Sequence, residues 1–433
     1  MKNFKDSGIE WLGEIPQHWE VVKIKFLAIF YTGDSIKDSE KHKYCFLNNS
    51  IPYISTKDID INTNVIDYNN GMFIEKNDAN FKRAYTNSIL LCLEGANAGK
   101  KIAFLDKEVC FVNKLCCISS KTKKLNSKFL FYFLQSVFFK NVFIANIKGL
   151  IGGITTDQLG NFYMLFPPLK EQEQIANFLD EKCKKIANFI EKKEKLITLL
   201  KEQKQALINE TITKGLDKNI NFKDSGIEWL GEIPQHWRIV KLKYVAFTNI
   251  GLVYTPDDII ENPDEGYPVL RANNIQNGKI DYQDLIYIKS KQIGKKQIIS
   301  SGDLLMCVRN GSENLLGKTA KIQDEYFSFG AFTAIIKSQF NDYFYWIFQT
   351  NMLRKSIASF SASNGIGQIS QDDIKNFIIS FPPLKEQEQI AQFLDSEISK
   401  IDKIIEKTKK QIKLIKEYKT TLINQAVCGR IDL

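Results

Sequence analysis

The sequence predicts an α+β protein built as a tandem duplication: two similar mixed α/β blocks, separated by two long helices with a coiled-coil seam. Three observations carry that expectation. The phrase FKDSGIEWLGEIPQHW at 4–19 returns at 222–237, identical at all 16 positions and 218 residues later. The phrase FPPLKEQEQIANFLD at 166–180 returns at 381–395, 215 residues on, with Asn177 against Gln392 as its one change. After each copy of the second phrase, apolar residues recur in alternating steps of four and three within a Lys/Glu-rich stretch. A period this long is the length of a domain rather than of a solenoid repeat. The expected segments are 1–165 (framing phrase plus first block), 166–215 (first long helix), 216–380 (second framing phrase plus second block) and 381–433 (second long helix).

Taken in order, 4–19 is broken by Gly8, Gly13 and Pro16 and reads as turns carrying Trp11 and Trp19 as apolar pegs. In the first block, VVKIKFLAIF and SILLCLEG have the β-branched and apolar runs of strands. KFLFYFLQSVFFKNVF reads as one helix buried on a wide face. The second block repeats the order with VKLKYVAFTNI, DLLMCVRNG and DYFYWIFQTNMLRKSI, at low residue identity. Mixed secondary structure around a core of this kind is α/β or α+β. The first helical seam is Ile175, Leu179, Ile186, Phe189, Leu196, Leu200 and Leu207, and the second is Ile390, Leu394, Ile401, Ile404, Ile415, Tyr418 and Leu422. Cys183, Ile190 and Ile197, with Ile398, Ile405 and Ile412, widen the stripe toward a second neighbour. A helix of ~40 residues is ~60 Å long, and Gly215 and Gly429 stand where each should stop.

Composition is that of a folded protein: 433 residues, 44% hydrophobic and 25% charged, with 30 Phe and 16 Tyr. The formal charge of +9 is shared unevenly, with 19 basic against 13 acidic residues over 20–165 and 16 against 14 over 238–380. That excess fits a polyanionic partner without demanding one. The eight cysteines form no CxxC pair, and Cys116 and Cys117 are adjacent, so reduced, buried thiols are expected. Only His18, His42 and His236 are present, which disfavours a histidine metal site and leaves His18 and His236 as packing residues. No apolar signal core opens the chain, and the most apolar run, 129–145, is interrupted by Gln135, Ser136, Lys140 and Asn141. A cytoplasmic protein is expected.

The motifs that could carry chemistry fail on spacing. GSENLLGKT at 311–319 has five residues between its glycines where a nucleotide loop needs four, and GANAGKK at 95–101 has three. What remains is a Gly-rich turn ending in Gly-Lys after a strand in both blocks. FPPL superficially resembles the catalytic loop of amino-methyltransferases, but its Phe cannot hydrogen-bond an exocyclic amine, and no Gly-rich methyl-donor motif accompanies it. The prolines read instead as a rigid entry into the helix. No catalytic or metal constellation is apparent. Nearly identical frames around divergent blocks point to two equivalent docking surfaces and two modules with different targets.

A DSGIEWLGEIPQHW phrase, a variable block, then PPL-x-EQ-x-x-I at 167–175 and again at 382–390 with a long helix, all given twice, resembles the specificity subunit of type I restriction–modification systems. The likeness runs over essentially the whole chain. It implies two target recognition domains, each reading one half of a split, asymmetric sequence in double-stranded DNA. It implies that the helices run antiparallel in a pseudo-twofold arrangement and set the gap between half-sites. It implies that the frames bind two methyltransferase (M) subunits, with restriction (R) subunits joining that core. No cofactor is implied for this chain; S-adenosylmethionine and ATP/Mg would belong to the partners, and so would catalysis. One bidentate contact discriminates by ~1–3 kcal/mol, so a single module reads few base pairs. Two modules held apart read a longer site at less entropic cost.

Within the blocks, the candidate base readers are the polar loop residues Arg271, Asn273, Asn274, Arg309, Asn310, Asn364 and Gln368. Their first-block counterparts are Lys57, Asn97, Lys100 and Lys101. Lys123, Lys124, Lys295 and Lys296 are candidate phosphate contacts. In the frames, the candidate partner contacts are Trp11, Trp19, Pro167, Pro168, Glu171 and Gln172, with Trp229, Trp237, Pro382, Pro383, Glu386 and Gln387. Two rival readings are a coiled-coil protein scaffold with no DNA role, and a stand-alone DNA-modifying enzyme.

Overall fold

The computed structural model describes residues 3–433 apart from 10–11, 46–48, 149–151, 310–314, 353–355 and 357–367. The chain divides into two compact units, Met1–Glu194 with Lys409–Leu433, and Lys195–Thr408. Trp11, Asn310 and Asn364 lie outside the described residues.

In the first unit the framing phrase forms a short antiparallel hairpin, Phe4–Asp6 with Glu14–Pro16, rather than the turns alone that its glycines predict. The run expected as one strand is two. Glu20–Lys23 pairs with Tyr163–Phe166, a 3-10 turn occupies Ile24–Phe26, and Ala28–Thr32 pairs with Leu115–Ser120 in another sheet. Nothing in VVKIKFLAIF marks that break. It is imposed by the Ile24 N–H donating to the Phe162 carbonyl and the Leu27 N–H to Ile24.

The main sheet has the order Ala28–Thr32, Leu115–Ser120, Ile89–Cys92, Ile102–Phe104, all antiparallel. Period-two alternation explains why Ile89–Cys92 is apolar throughout. Ile89 and Leu91 join the core around the helices, whereas Leu90 and Cys92 join a second core against the smaller sheet. In that smaller sheet Ser50–Ile54 and Val109–Phe111 run parallel.

The aromatic helix is also broken. Ser127–Phe133 and Val137–Ala145 meet at 64°, because the Ser136 hydroxyl accepts the Phe139 N–H and caps a new helix. Phe129, Phe133, Phe139 and Phe143 are buried in the unit core. No single helix among the described residues is long and apolar enough to cross a membrane; this bent pair passes by length and composition only.

The second unit repeats the plan. Its frame hairpin is Phe222–Asp224 with Glu232–Pro234, and Arg238–Lys241 pairs with Ile378–Phe381. The main sheet runs Phe247–Ile250, Thr333–Lys337, Leu304–Cys307, Thr319–Lys321. Tyr267–Leu270 runs parallel to Ser328–Phe329 in the smaller sheet, and Asn341–Phe348 is the aromatic helix.

The long helices are Leu169–Lys214 and Leu384–Val427, 46 and 44 residues, each entered directly after a Pro-Pro pair. They run antiparallel, and within each unit the first half of one packs with the second half of the other. The Lys204 ammonium meets both Asp402 oxygens at 2.7 and 2.8 Å in the second unit. The expected seam holds at Ile175, Leu179, Ile186, Ile390, Leu394, Ile401 and Leu422, all buried. It fails at Phe189, Ile404 and Tyr418, which are exposed, while Ile398, Ile405 and Ile412, expected only to flank it, are buried. A straight helix drifts ~20° per heptad against a strict seven-residue repeat. Packing against a globular block, as well as another helix, lets that drift stand.

All eight cysteines are free thiols, with Cys45 exposed. Burial pushes the Cys110 thiol up to about 11 and Cys428 up to about 12, so neither offers thiolate near neutrality. Brief alkylation at pH 7.5 is therefore expected to label Cys45 and to spare Cys110, Cys116 and Cys428 until denaturant is added. Peptide mass spectrometry reads the order, and early loss of the Cys116 peptide would contradict the buried placement.

Candidate nucleic-acid interface and its frame

In each unit the paired strands of the smaller sheet run the same way and so release their loops at one end. In the second unit, Val269 and Leu270 pair with Ser328 and Phe329. The chain then continues as the loop 271–274 on one side and 330–332 on the other. The Leu252 N–H donates to the Phe329 carbonyl (2.8 Å) and the Ala331 N–H to Leu252 (2.8 Å), which draws 251–254 to the same place. A Cβ on Gly251 would sit 2.3 Å from the Gly330 carbonyl oxygen, so the approach needs glycine there. The first unit uses Gly33 against the Phe111 carbonyl in the same way.

The predicted readers are not all free to read. Asn274 is 1% exposed, and its amide donates to the Asp281 and Gln283 carbonyls (both 2.8 Å) while its oxygen accepts the Arg271 N–H. That side chain shapes the loop and leaves no group to offer outside it. Arg271 is half-buried, one guanidinium nitrogen donating to the Asp284 carbonyl at 2.7 Å. Asn273, Lys295 and Lys296 are exposed, the Lys296 carbonyl accepting from Asn249. Arg309 and Gln368 are exposed and face each other across an isolated antiparallel bridge.

In the first unit the Lys101 ammonium donates to the Thr56 carbonyl at 2.6 Å, holding the turn after Ile89–Cys92 against the loop that carries exposed Lys57. Lys57 and Lys101 line one shallow pocket with Asp60 and Thr63. Asn97 closes the turn by accepting the Lys100 N–H on its carbonyl, and the Lys100 ammonium donates to Ala96. Gly99 and Gly317 spend their N–H groups on Cys92 and Cys307 (both 2.8 Å), which closes a hairpin rather than ringing a phosphate. Lys123 and Lys124 are exposed elsewhere, beside the start of the first long helix, where the Lys124 carbonyl accepts from Gln172.

The frame residues form a clamp that the repeat alone did not reveal. Glu171, in the first turn of its helix, accepts the Trp19 indole N–H at 3.0 Å on one oxygen and meets His18 at 2.6 Å on the other. Glu386 holds Trp237 (2.9 Å) and His236 (2.7 Å) identically. His18 and His236 are thus exposed hydrogen-bonding partners, where packing had been expected.

Trp19 and Trp237 are 0% exposed, so their rings belong to the core and cannot themselves touch a partner. Gln172 is buried, donating to the Pro167 and Lys124 carbonyls and accepting the Asn126 N–H. Gln387 donates to Pro382 at 2.8 Å, and Trp229 is half-buried. Asp180 and Asp395, which end the repeated phrase, hold Tyr132 and Trp346 of the aromatic helices. Pro167 and Pro382 are buried, so the frames expose Pro168 with Leu169, and Pro383 with Leu384. Much of the phrase identity is therefore explained inside the unit. The pairing of Glu171 with a tryptophan 152 residues away had no local signal.

Among the described residues no group of three or more His, Cys, Asp or Glu could hold a metal ion. A family model described as the type I restriction modification DNA specificity domain matches residues 16–199 and 234–414. The MjaVIII specificity subunit of Methanocaldococcus jannaschii is 27% identical over 449 residues, which cover 99% of this chain and 96% of that one. The EcoKI specificity subunit of Escherichia coli K12 is 29% identical over 206 residues, and there the match spans 46% of this chain and 44% of the relative. A solved chain from a study titled "Structural basis underlying complex assembly and conformational transition of the type I R-M system" aligns with TM-score 0.75 at 16% identity, over 96% of this chain and 99% of that one. The HsdS subunit of Thermoanaerobacter tengcongensis aligns at 0.55 and 16%, over 96% and 98%. At these identities the two structures share the fold with this chain.

Proposed function

The chain belongs to the type I restriction modification DNA specificity family, and from that premise we propose that each of its units reads one half of a split DNA sequence for a methyltransferase assembly. It is a specificity subunit, and on this reading it carries no catalysis of its own. One observation supports the reading above the others. Both units gather their loops at the same end of the same paired strands, yet the loops that follow those strands carry different side chains, Lys57 in one and Arg271 with Asn273 in the other. Conserved scaffolding with exchanged tips is what two readers of unlike half-sites require. The exposed parts of the frames, Pro168 with Leu169 and Pro383 with Leu384, are the surfaces assigned to two methyltransferase subunits.

The test is reconstitution. Mixed with methyltransferase subunits, the chain is expected to direct modification to a single two-part sequence, read by sequencing modified adenines. Duplex binding should also weaken with salt, log K falling by ~0.9 per phosphate neutralised per log unit. Binding to a protein partner with no sequence preference on DNA would support the scaffold reading instead.

A further inference from the structure

Matching the units hydrogen bond by hydrogen bond isolates three corresponding positions in each. The Leu93 N–H donates to the Lys114 carbonyl (3.0 Å), as the Val308 N–H donates to Phe332 (2.9 Å). The Ile154 N–H donates to Leu93 (3.2 Å), as Ile369 donates to Val308 (2.8 Å). Beside these bonds, Glu94 bridges Gly153 and Arg309 bridges Gln368. One backbone ledge thus carries Glu94, Lys114 and Gly153 in the first unit, and Arg309, Phe332 and Gln368 in the second.

The chemistry at those positions is exchanged completely. In the second unit the Arg309 guanidinium lies 5.2 Å from the centre of the Phe332 ring. Among the described residues that guanidinium meets no protein acceptor, and it is the Phe332 ring that orients it. Phe332 is 54% exposed and Val253, joined to the ledge through Leu252 and Ala331, is 81% exposed. An oriented arginine beside uncovered apolar side chains matches a major-groove edge, where guanine offers two acceptors and thymine a methyl group. The first unit puts a carboxylate where the second has arginine. On a surface meant for phosphates an acid is repelled, but it can accept a hydrogen bond from the amino group of cytosine.

We propose that this ledge is the base-reading site of each unit: Arg309 takes a guanine with Phe332 against a neighbouring thymine methyl, and Glu94 takes a cytosine. The proposal rests on the DNA-reading function above and adds to it which residues discriminate. Neither Glu94, Lys114 nor Phe332 stands out in the sequence; only the matched hydrogen bonds align them.

The experiment uses the full chain assembled with methyltransferase subunits, with wild type, R309A, R309K, F332A and E94Q compared by sequencing of modified sites and by duplex binding. R309A is expected to cost roughly 5- to 150-fold against the guanine-containing half-site and to relax that one base while the other half-site is kept. R309K, which keeps the charge without the fork, should relax it too, and E94Q should relax one base in the opposite half. An unchanged sequence in all variants, or an even loss over all sequences, would overturn the ledge while leaving the function standing. Absence of any sequence preference in the wild-type assembly would remove both.

Discussion

Trp19→Ala is expected to lower the stability of the first unit by about 3–5 kcal/mol. The indole is 0% exposed in the unit core and donates to Glu171 at 3.0 Å. Its ring also lies against the end of the second long helix, at Gly429. Truncation therefore opens a large cavity where a frame hairpin, the start of one helix and the end of the other meet. Against a typical total of ~5–15 kcal/mol that is a large fraction. Trp19→Phe keeps most of the volume and gives up the hydrogen bond, so it should cost much less. Glu171→Ala leaves the ring but strands a buried N–H, for about 1–3 kcal/mol. Urea unfolding monitored by proteolysis separates the cases, with early cleavage confined to the first unit. A change below ~1 kcal/mol for the alanine variant would contradict the clamp.

Gly429→Val is the second large effect. Gly429 has φ +71, which costs a side-chain-bearing residue roughly 1–2 kcal/mol. Its Cβ would also lie 2.5 Å from Pro16 Cγ and 3.0 Å from the Trp19 ring. Rigid proline and buried indole cannot both yield, and overpacking of this kind adds about 1–3 kcal/mol. The matching site, Gly215 (φ +73), is less crowded, with Trp237 at 3.1 Å and Pro234 at 4.0 Å. Gly429→Val should accordingly depress the melting temperature more than Gly215→Val. Equal shifts would mean that backbone conformation alone decides the outcome.

The parts of the fold legible in advance were those written as period or as punctuation. Repeated phrases marked the duplication, heptad spacing marked both long helices, and Pro-Pro and Gly marked their ends. What escaped was whatever depends on a distant partner. Ile24 breaks a strand because Phe162 offers a carbonyl, and Ser136 starts a new helix inside an unbroken apolar run. Asn274 looked like a free loop amide, but carbonyls of Asp281 and Gln283 consume it. Trp19 and Trp237 looked like pegs for another protein because identity between copies does not say whether the partner is internal. Phe332 and Glu94 were unremarkable until the ledge aligned them.

The two units also differ in how their chain is supplied. Lys195–Thr408 is one continuous stretch, whereas the other unit needs Lys409–Leu433 to join Met1–Glu194. The later unit can therefore complete its core from its own stretch, whereas the earlier one must wait for the segment Lys409–Leu433. Until Leu422, Ile423 and Val427 emerge, Ile175, Leu179 and Ile186 have no helix to cover them. The N-terminal portion is translated first and completed last, so its apolar helix face is the one left open to chaperones and proteases for longest.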